Sequence, residues 1–144
     1  AKVLELLRYA DIVKVNDEEI RLIGEWYGWS GTDEELLYQL YRHLNLKAAV
    51  LTRGKHGAAL VDDNGFYEHP GFHITVADTI GAGDSFLAAF ITKYLVGVPP
   101  ADCLAYAGAV GALIAGKTGG TPAYTTTDVL AVLKNTETNK IFLD

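Results

Sequence analysis

An α/β fold with a largely parallel sheet is what this sequence predicts, and three features carry the prediction. Apolar residues alternate between helical spacing, as at Ile20, Ile23 and Trp26, and strand-like runs such as Asp11-Ile12-Val13-Lys14-Val15. Helix-start signals, Thr32-Asp33-Glu34-Glu35 and Pro99-Pro100, fall between the apolar segments rather than inside them. Strands are thus separated by helices, the order that builds parallel pairing through helical crossovers.

The elements follow in order. Val3, Leu4, Leu6 and Leu7 form a short helical stripe ending near Tyr9. The β-branched run Asp11 to Val15 is a strand, and Asp17 to about Trp26 returns to helical spacing. Thr32 to Glu35 fits a capping box: the Thr oxygen accepts early backbone N–H groups while Glu35 reaches back. The helix it starts runs to about His43, with Leu36, Leu37, Leu40 and Tyr41 on the core side. Lys47 to Thr52 is a buried strand, and Arg53 to Gly57 a glycine-bearing loop. Ala58–Val61 and Phe66–Glu68 flank Asp62-Asp63-Asn64-Gly65, a hairpin signal because Asn-Gly readily takes positive φ. His73 to Ala77 alternates as a strand. Ser85 to about Val96 is a helix with a Phe86, Leu87, Phe90, Ile91, Tyr94 and Leu95 stripe, closed by Gly97. Pro99-Pro100 starts the next, which runs to about Ala115 and is rich enough in Ala and Gly to pack closely on a neighbour. Thr127-Asp128 caps a last helix through Leu133.

Composition narrows the function. A chain of 144 residues suits a single domain, which by the usual scaling buries roughly two-thirds of its unfolded surface. Disorder is excluded by 49% apolar against 21% charged residues. A net charge of −6 without a basic patch argues against nucleic acid and anionic membranes as partners. No apolar run approaches the roughly 20 residues that cross a bilayer. Lone Cys103 builds no internal disulfide, and the opening residues carry no secretory or transit pattern, so a cytoplasmic protein is the expectation.

Chemistry concentrates in Asp78-Thr79-Ile80-Gly81-Ala82-Gly83-Asp84-Ser85-Phe86, where a strand feeds a glycine-rich turn and an amphipathic helix follows. The turn leaves the amides of Gly81 to Asp84 at the positive end of a helix dipole, an anion site suited to phosphoryl oxygens. Glycines allow the close approach that a Cβ would block. Asp84 reads in two ways. It is an N-cap, or it is the group that orients an attacking hydroxyl and accepts its proton while donors hold the developing charge.

Across Asp78 to Ile91 (DTIGAGDSFLAAFI) the sequence resembles the C-terminal signature of the ribokinase-like (PfkB-type) carbohydrate kinases, fructokinases and ribokinases among them. The resemblance implies a ribokinase-like fold, a mostly parallel sheet flanked by helices, with Asp84 as catalytic base and Gly81, Ala82 and Gly83 as anion hole. Thr52-Arg53-Gly54-Lys55-His56-Gly57 is similar to the family's T-x-G-x-x-G loop, so Thr52, Gly54 and Gly57 are implied ATP contacts; taken alone it is also an ordinary loop. Asn16-Asp17-Glu18-Glu19 resembles the N-x-x-E motif, whose Asn and Glu organise water around Mg²⁺, implying outer-shell roles for Asn16 and Glu19. Without the family, Asn16 is a helix cap and Glu18-Glu19 a first-turn charge pair. A monovalent cation such as K⁺ is implied on backbone carbonyls near Asp78, Ile80, Lys117 and Gly119. The sequence departs from the pattern at Ala107, where family members commonly carry Asn beside adenine.

Gly111 to Thr118 (GALIAGKT) fits a nucleotide-binding Walker loop, which needs a strand before it and a helix after it. An Ala-rich helix precedes it and Gly119-Gly120-Thr121-Pro122 follows, so it reads as a helix end. His69 and His73 straddle Pro70-Gly71 and share no helix face, so no histidine metal set is expected.

The resemblance runs from about Ala10 to about Leu133 and covers the second half of the family pattern. The chain, 1–144, is accordingly expected to be the C-terminal, ATP-binding and catalytic portion of one ribokinase-like domain. The reaction implied is transfer of the γ-phosphoryl group of MgATP to a sugar hydroxyl, of the fructokinase type, by a homodimer in its full-length form. This portion by itself is expected to be weakly active or inactive. Ribokinase- or adenosine-kinase-type acceptors, and a non-catalytic nucleotide-binding module of the same fold, are the alternatives.

Overall fold

A computed structural model describes residues 2–72, 81–116 and 125–143, with side chains of the last segment described through 134. The chain divides into two compact units. The first, residues 1–54 and 58–68, holds α1 (Lys2–Leu7), β1 (Ile12–Asn16), α2 (Asp17–Tyr27), α3 (Asp33–His43), β2 (Ala48–Thr52), β3 (Ala58–Asp62) and β4 (Gly65–His69), whose last residue falls in the second unit. The second, residues 55–57 and 69–144, holds α4 (Ala82–Leu95), α5 (Pro100–Ala115) and α6 (Thr126–Leu143). The expected strand at His73–Ala77 lies outside the described residues.

The first unit is built on a sheet of order β1-β2-β3-β4. β1 and β2 run parallel, Ile12 opposite Ala48 through Asn16 opposite Thr52, with α2 and α3 as the crossover between them. β2 and β3 run antiparallel. Only the short segment 53–57, with a 3₁₀ turn at Gly54–His56, joins these two, and a parallel return needs a dozen or more residues. Among the described strands the sheet is therefore mixed, its parallel pairing confined to β1 and β2. In the hairpin turn Asn64 donates its amide to Asp62 Oδ1 (2.9 Å), and Gly65 rather than Asn64 takes positive φ (143°).

One face of this sheet carries Val13, Val15, Ala49, Leu51, Ala59 and Val61, spaced with period two, while β2 and β3 bury the alternate residues Ala48, Val50, Ala58 and Leu60 as well. Ile20 and Ile23 of α2 and Leu36, Leu37 and Leu40 of α3 close over it. Trp26, placed on the α2 stripe by spacing, is 42% exposed, because the buried stripe of Ile20 and Ile23 continues at Tyr27, which packs against the core in its stead. Tyr41 lies at the rim, where its hydroxyl donates to Asp63 in the hairpin turn and ties α3 to that turn. Among the described residues no helix is long and apolar enough to cross a membrane.

Capping residues fix the helix starts. Thr32 Oγ1 accepts the Glu35 amide (3.2 Å), and its hydroxyl meets the Glu35 carboxylate (3.2 Å), so Glu35 pairs with the cap's side chain rather than its amide. Thr125, not Thr127, starts α6: its hydroxyl accepts the Asp128 amide (3.2 Å) while Asp128 Oδ2 accepts the Thr125 amide (2.8 Å). α4 begins at Ala82, three residues before the expected Ser85.

The second unit packs α4 on α5 and α5 on α6. Phe86 and Phe90 of α4 and Leu104, Ala107 and Val110 of α5 are buried, whereas Leu95 and Val96 at the end of α4 are exposed. Cys103 is buried, its thiol donating to Val98 O (3.2 Å), and burial raises its pKa. Glycine matters at Gly108 of α5, where a Cβ would press on the Phe72 ring at 3.2 Å, whereas one at Gly111 would meet Ala82 O at an ordinary 3.5 Å.

Gly57 has the tightest constraint. At φ +91° a Cβ there would lie 1.9 Å from His69 O and 2.7 Å from Gly71 N, inside backbone that cannot yield. Gly97 has a similar φ (+87°) in open space. Gly97→Ala should therefore cost about 1 kcal/mol of unfolding free energy, the strain of positive φ alone. Gly57→Ala should cost at least about 2 kcal/mol more, since the backbone must move; equal costs in denaturant titration would refute the close-packing account.

Tyr41 gives a pH signature. The hydrogen bond to Asp63, then desolvation, hold its pKa at about 12 rather than the ordinary 10.0. The neutral phenol binds its proton more tightly folded than unfolded, so the contribution is whole below pH 10.0 and fades as pH rises toward about 12. The stability gap between wild type and Tyr41→Phe should shrink over that window, measured by denaturation at stepped pH; a gap constant through it would contradict the assignment.

Candidate active site

The predicted site residues fall into two groups, one in each unit. In the first, the parallel register sets Asn16, the last residue of β1, opposite Thr52, the last of β2. Ligands of α/β sheets bind beyond such carboxyl ends. Asn16 caps α2: its Oδ1 accepts the Glu19 amide (2.8 Å), and Glu19 Oε1 accepts the Asn16 amide (2.9 Å). The pair is a reciprocal capping box, the plainer of the two roles its spacing allowed. The Thr52 hydroxyl reaches Val15 O at 3.5 Å, and exposed Gly54 follows at φ +55° with open space where a Cβ would stand.

With Asn16 Oδ1 and Glu19 Oε1 used in the cap, Glu19 Oε2 lies outside it. Among the described residues no three acidic, His or Cys side chains cluster to hold an ion directly. A free carboxylate oxygen is an acceptor for a water bound to Mg²⁺, which is the chemistry the outer-shell role implied for Glu19 would need. Asp78, Ile80, Lys117 and Gly119, the carbonyls implied for a monovalent cation, lie outside the described residues.

In the second unit Gly81 is the N-cap of α4, left-handed at φ 80° and offering no side-chain cap. Ser85 donates its amide to Gly81 O (2.9 Å) as the helix ladder begins. The amides of Ala82, Gly83 and Asp84 precede any intrahelical acceptor and sit at the positive end of the dipole. Asp84 is the third residue of the helix, exposed, and makes no capping bond of its own. It is thus not the N-cap, the alternative role its local sequence allowed: Gly81 takes that place. Two to three convergent backbone donors with a carboxylate one turn in can hold an anion and accept a proton beside it.

Gly57 belongs with this unit, where its packing against His69 and Gly71 accounts for the absence of a side chain. Ala107 is fully buried in α5. The Walker-like stretch begins inside α5, with Gly111 to Ala115 helical and Gly116 the C-cap. A helix C-terminus presents carbonyls, the wrong polarity for phosphate; Lys117 and Thr118 lie outside the described residues. Sequence reasoning missed Gly108, whose lack of a side chain leaves room for the Phe72 ring against α5. Its signal was the Ala/Gly richness of the helix, which gave the close packing but not the position.

Residues 1–127 match the family model described as pfkB family carbohydrate kinase. The chain is 36% identical over 130 residues to an ATP-dependent ribose-1-phosphate kinase of Halopiger xanaduensis, covering 90% of this chain and 40% of that one. It is 32% identical over 133 residues to Fructokinase-2 of Solanum lycopersicum, covering 87% and 39%. Ribokinase from Thermotoga maritima superposes with a TM-score of 0.78 at 29% identity, covering 91% of this chain and 44% of that one. The chain spans about two-fifths of the length of these curated relatives. The fold is ribokinase-like, of which this chain forms a part. By the family model and the motifs together, this chain belongs to the pfkB family of carbohydrate kinases.

Proposed function

We propose that this chain supplies the ATP-binding and catalytic portion of a kinase that transfers the γ-phosphoryl group of ATP to a sugar hydroxyl. The observation that carries the reading is the start of α4: uncapped amides at Ala82 to Asp84, and an exposed carboxylate one turn in. The new bond joins the sugar oxygen to the γ-phosphorus, the bond from that phosphorus to the bridging β,γ-oxygen breaks, and ADP leaves. Asp84 takes the hydroxyl proton, while the Gly81–Gly83 turn holds the charge on the transferring group. Thr52, Gly54 and Gly57 line the path of the ATP phosphates in this reading. Asn16 and Glu19 order the waters of Mg²⁺, which when bound neutralises charge on the β- and γ-oxygens.

Fructose is the acceptor we favour from the sequence; the relatives' names add ribose 1-phosphate, and a panel of both with ribose and adenosine decides between them. K⁺ dependence, a homodimer and a cytoplasmic setting belong to the same proposal. Asp84→Ala in the complete gene product should lower kcat by about 10²–10⁴-fold with the KM for ATP little changed. An unchanged rate removes Asp84 from the mechanism, and loss of ATP binding alone returns it to a structural role. The 144-residue chain assayed by itself should bind MgATP but phosphorylate sugar poorly; turnover equal to the complete gene product would contradict the division of labour proposed.

A further inference from the structure

Arg53 follows Thr52 directly and opens the loop assigned to the ATP phosphates, where a cation is readily taken for a phosphate ligand. Its guanidinium is engaged elsewhere. Nη1 donates to Glu34 Oε1 of α3 at 2.8 Å and lies 3.5 Å from Glu68 Oε1 of β4, while Nη2 donates to Ala58 O at the start of β3 (3.3 Å). The side chain is only 20% exposed, and Nε is buried with no partner among the described residues. Two carboxylates thus balance a single charge, and one planar fork joins the end of β2 to α3, β3 and β4.

We propose that Arg53 is a positioning residue: it anchors the loop after β2 in the shape that receives the nucleotide, and does not itself attract phosphate. The inference rests on the kinase reading above. Position and attraction make opposite predictions for Glu34→Gln. Removing that carboxylate frees positive charge near the loop, so a phosphate-attracting Arg53 would lower the KM for ATP. A positioning Arg53 loses its shortest tether, and the KM for ATP rises.

The test uses the complete gene product, with the KM for MgATP and for sugar measured beside hydrogen exchange of the 53–58 amides. Glu34→Gln should raise the KM for ATP about threefold, the scale of one part-exposed ion pair, with kcat and the sugar KM unchanged. Arg53→Lys keeps the charge and stem but loses the fork; it should raise the KM for ATP about fivefold and speed exchange in the loop. Arg53→Ala should go further, and the lysine variant keeps the test open if the alanine variant fails to fold. A lowered KM in Glu34→Gln overturns the proposal. So does unchanged exchange in Arg53→Lys, or faster exchange with an unchanged KM for ATP. A wild-type protein that uses no ATP sinks the kinase reading and this inference with it, an outcome distinct from the others because no KM then exists to compare.

Discussion

The parallel pairing of β1 with β2 is the constraint on which the first unit depends. Parallel neighbours cannot be joined by a tight turn, so the chain must leave the sheet and return, and α2 and α3 are that return. Their apolar stripes become the cover of the sheet because the crossover places them over it. The same geometry ends both strands on one side, and so sets Asn16 beside Thr52 without any direct bond between their side chains. A slip of one residue would turn Val13 and Val15 away from α2 and α3 and separate the motif residues together.

The second unit solves a different problem, how to begin a helix without satisfying its first amides. α2, α3 and α6 start under Asn16, Thr32 and Thr125, side chains that accept those amides. α4 starts under Gly81, which has nothing to offer them. The cost of unpaired donors is small while water reaches them, and exposed Asp84 shows that the first turn is open to solvent. In the proposed kinase reaction, an arriving phosphoryl group replaces that water with a charge the dipole favours. Phe86 and Phe90 bury one face of α4 against its neighbours, while exposed Asp84 lies on another.

Glycine does different work at different positions of these motifs. At Gly81 and Gly54 the backbone angle is the requirement, and the space around the latter is open. At Gly57 the requirement is proximity, because other backbone occupies the volume a side chain would need. A sequence pattern prints the same letter for all of these, which is why the roles were not separable from spacing.

Much of the fold was legible from local physics. Capping chemistry and apolar period located α2, α3, β2 and α5 almost to the residue, because each carries its own start signal or a continuous buried run. The glycine turn ahead of α4 and the cap at Asn16 were legible as well, since residues adjacent in the chain set both. Tertiary structure decided the rest: that Trp26 and Leu95 leave the core, that the sheet turns antiparallel after β2, and that Gly81 rather than Asp84 caps α4. It also turned the charge of Arg53 inward, onto Glu34 and Glu68. Helix starts, turns and strand runs are settled by neighbours a few residues away, whereas register, exposure and ion pairing depend on partners that only folding brings near.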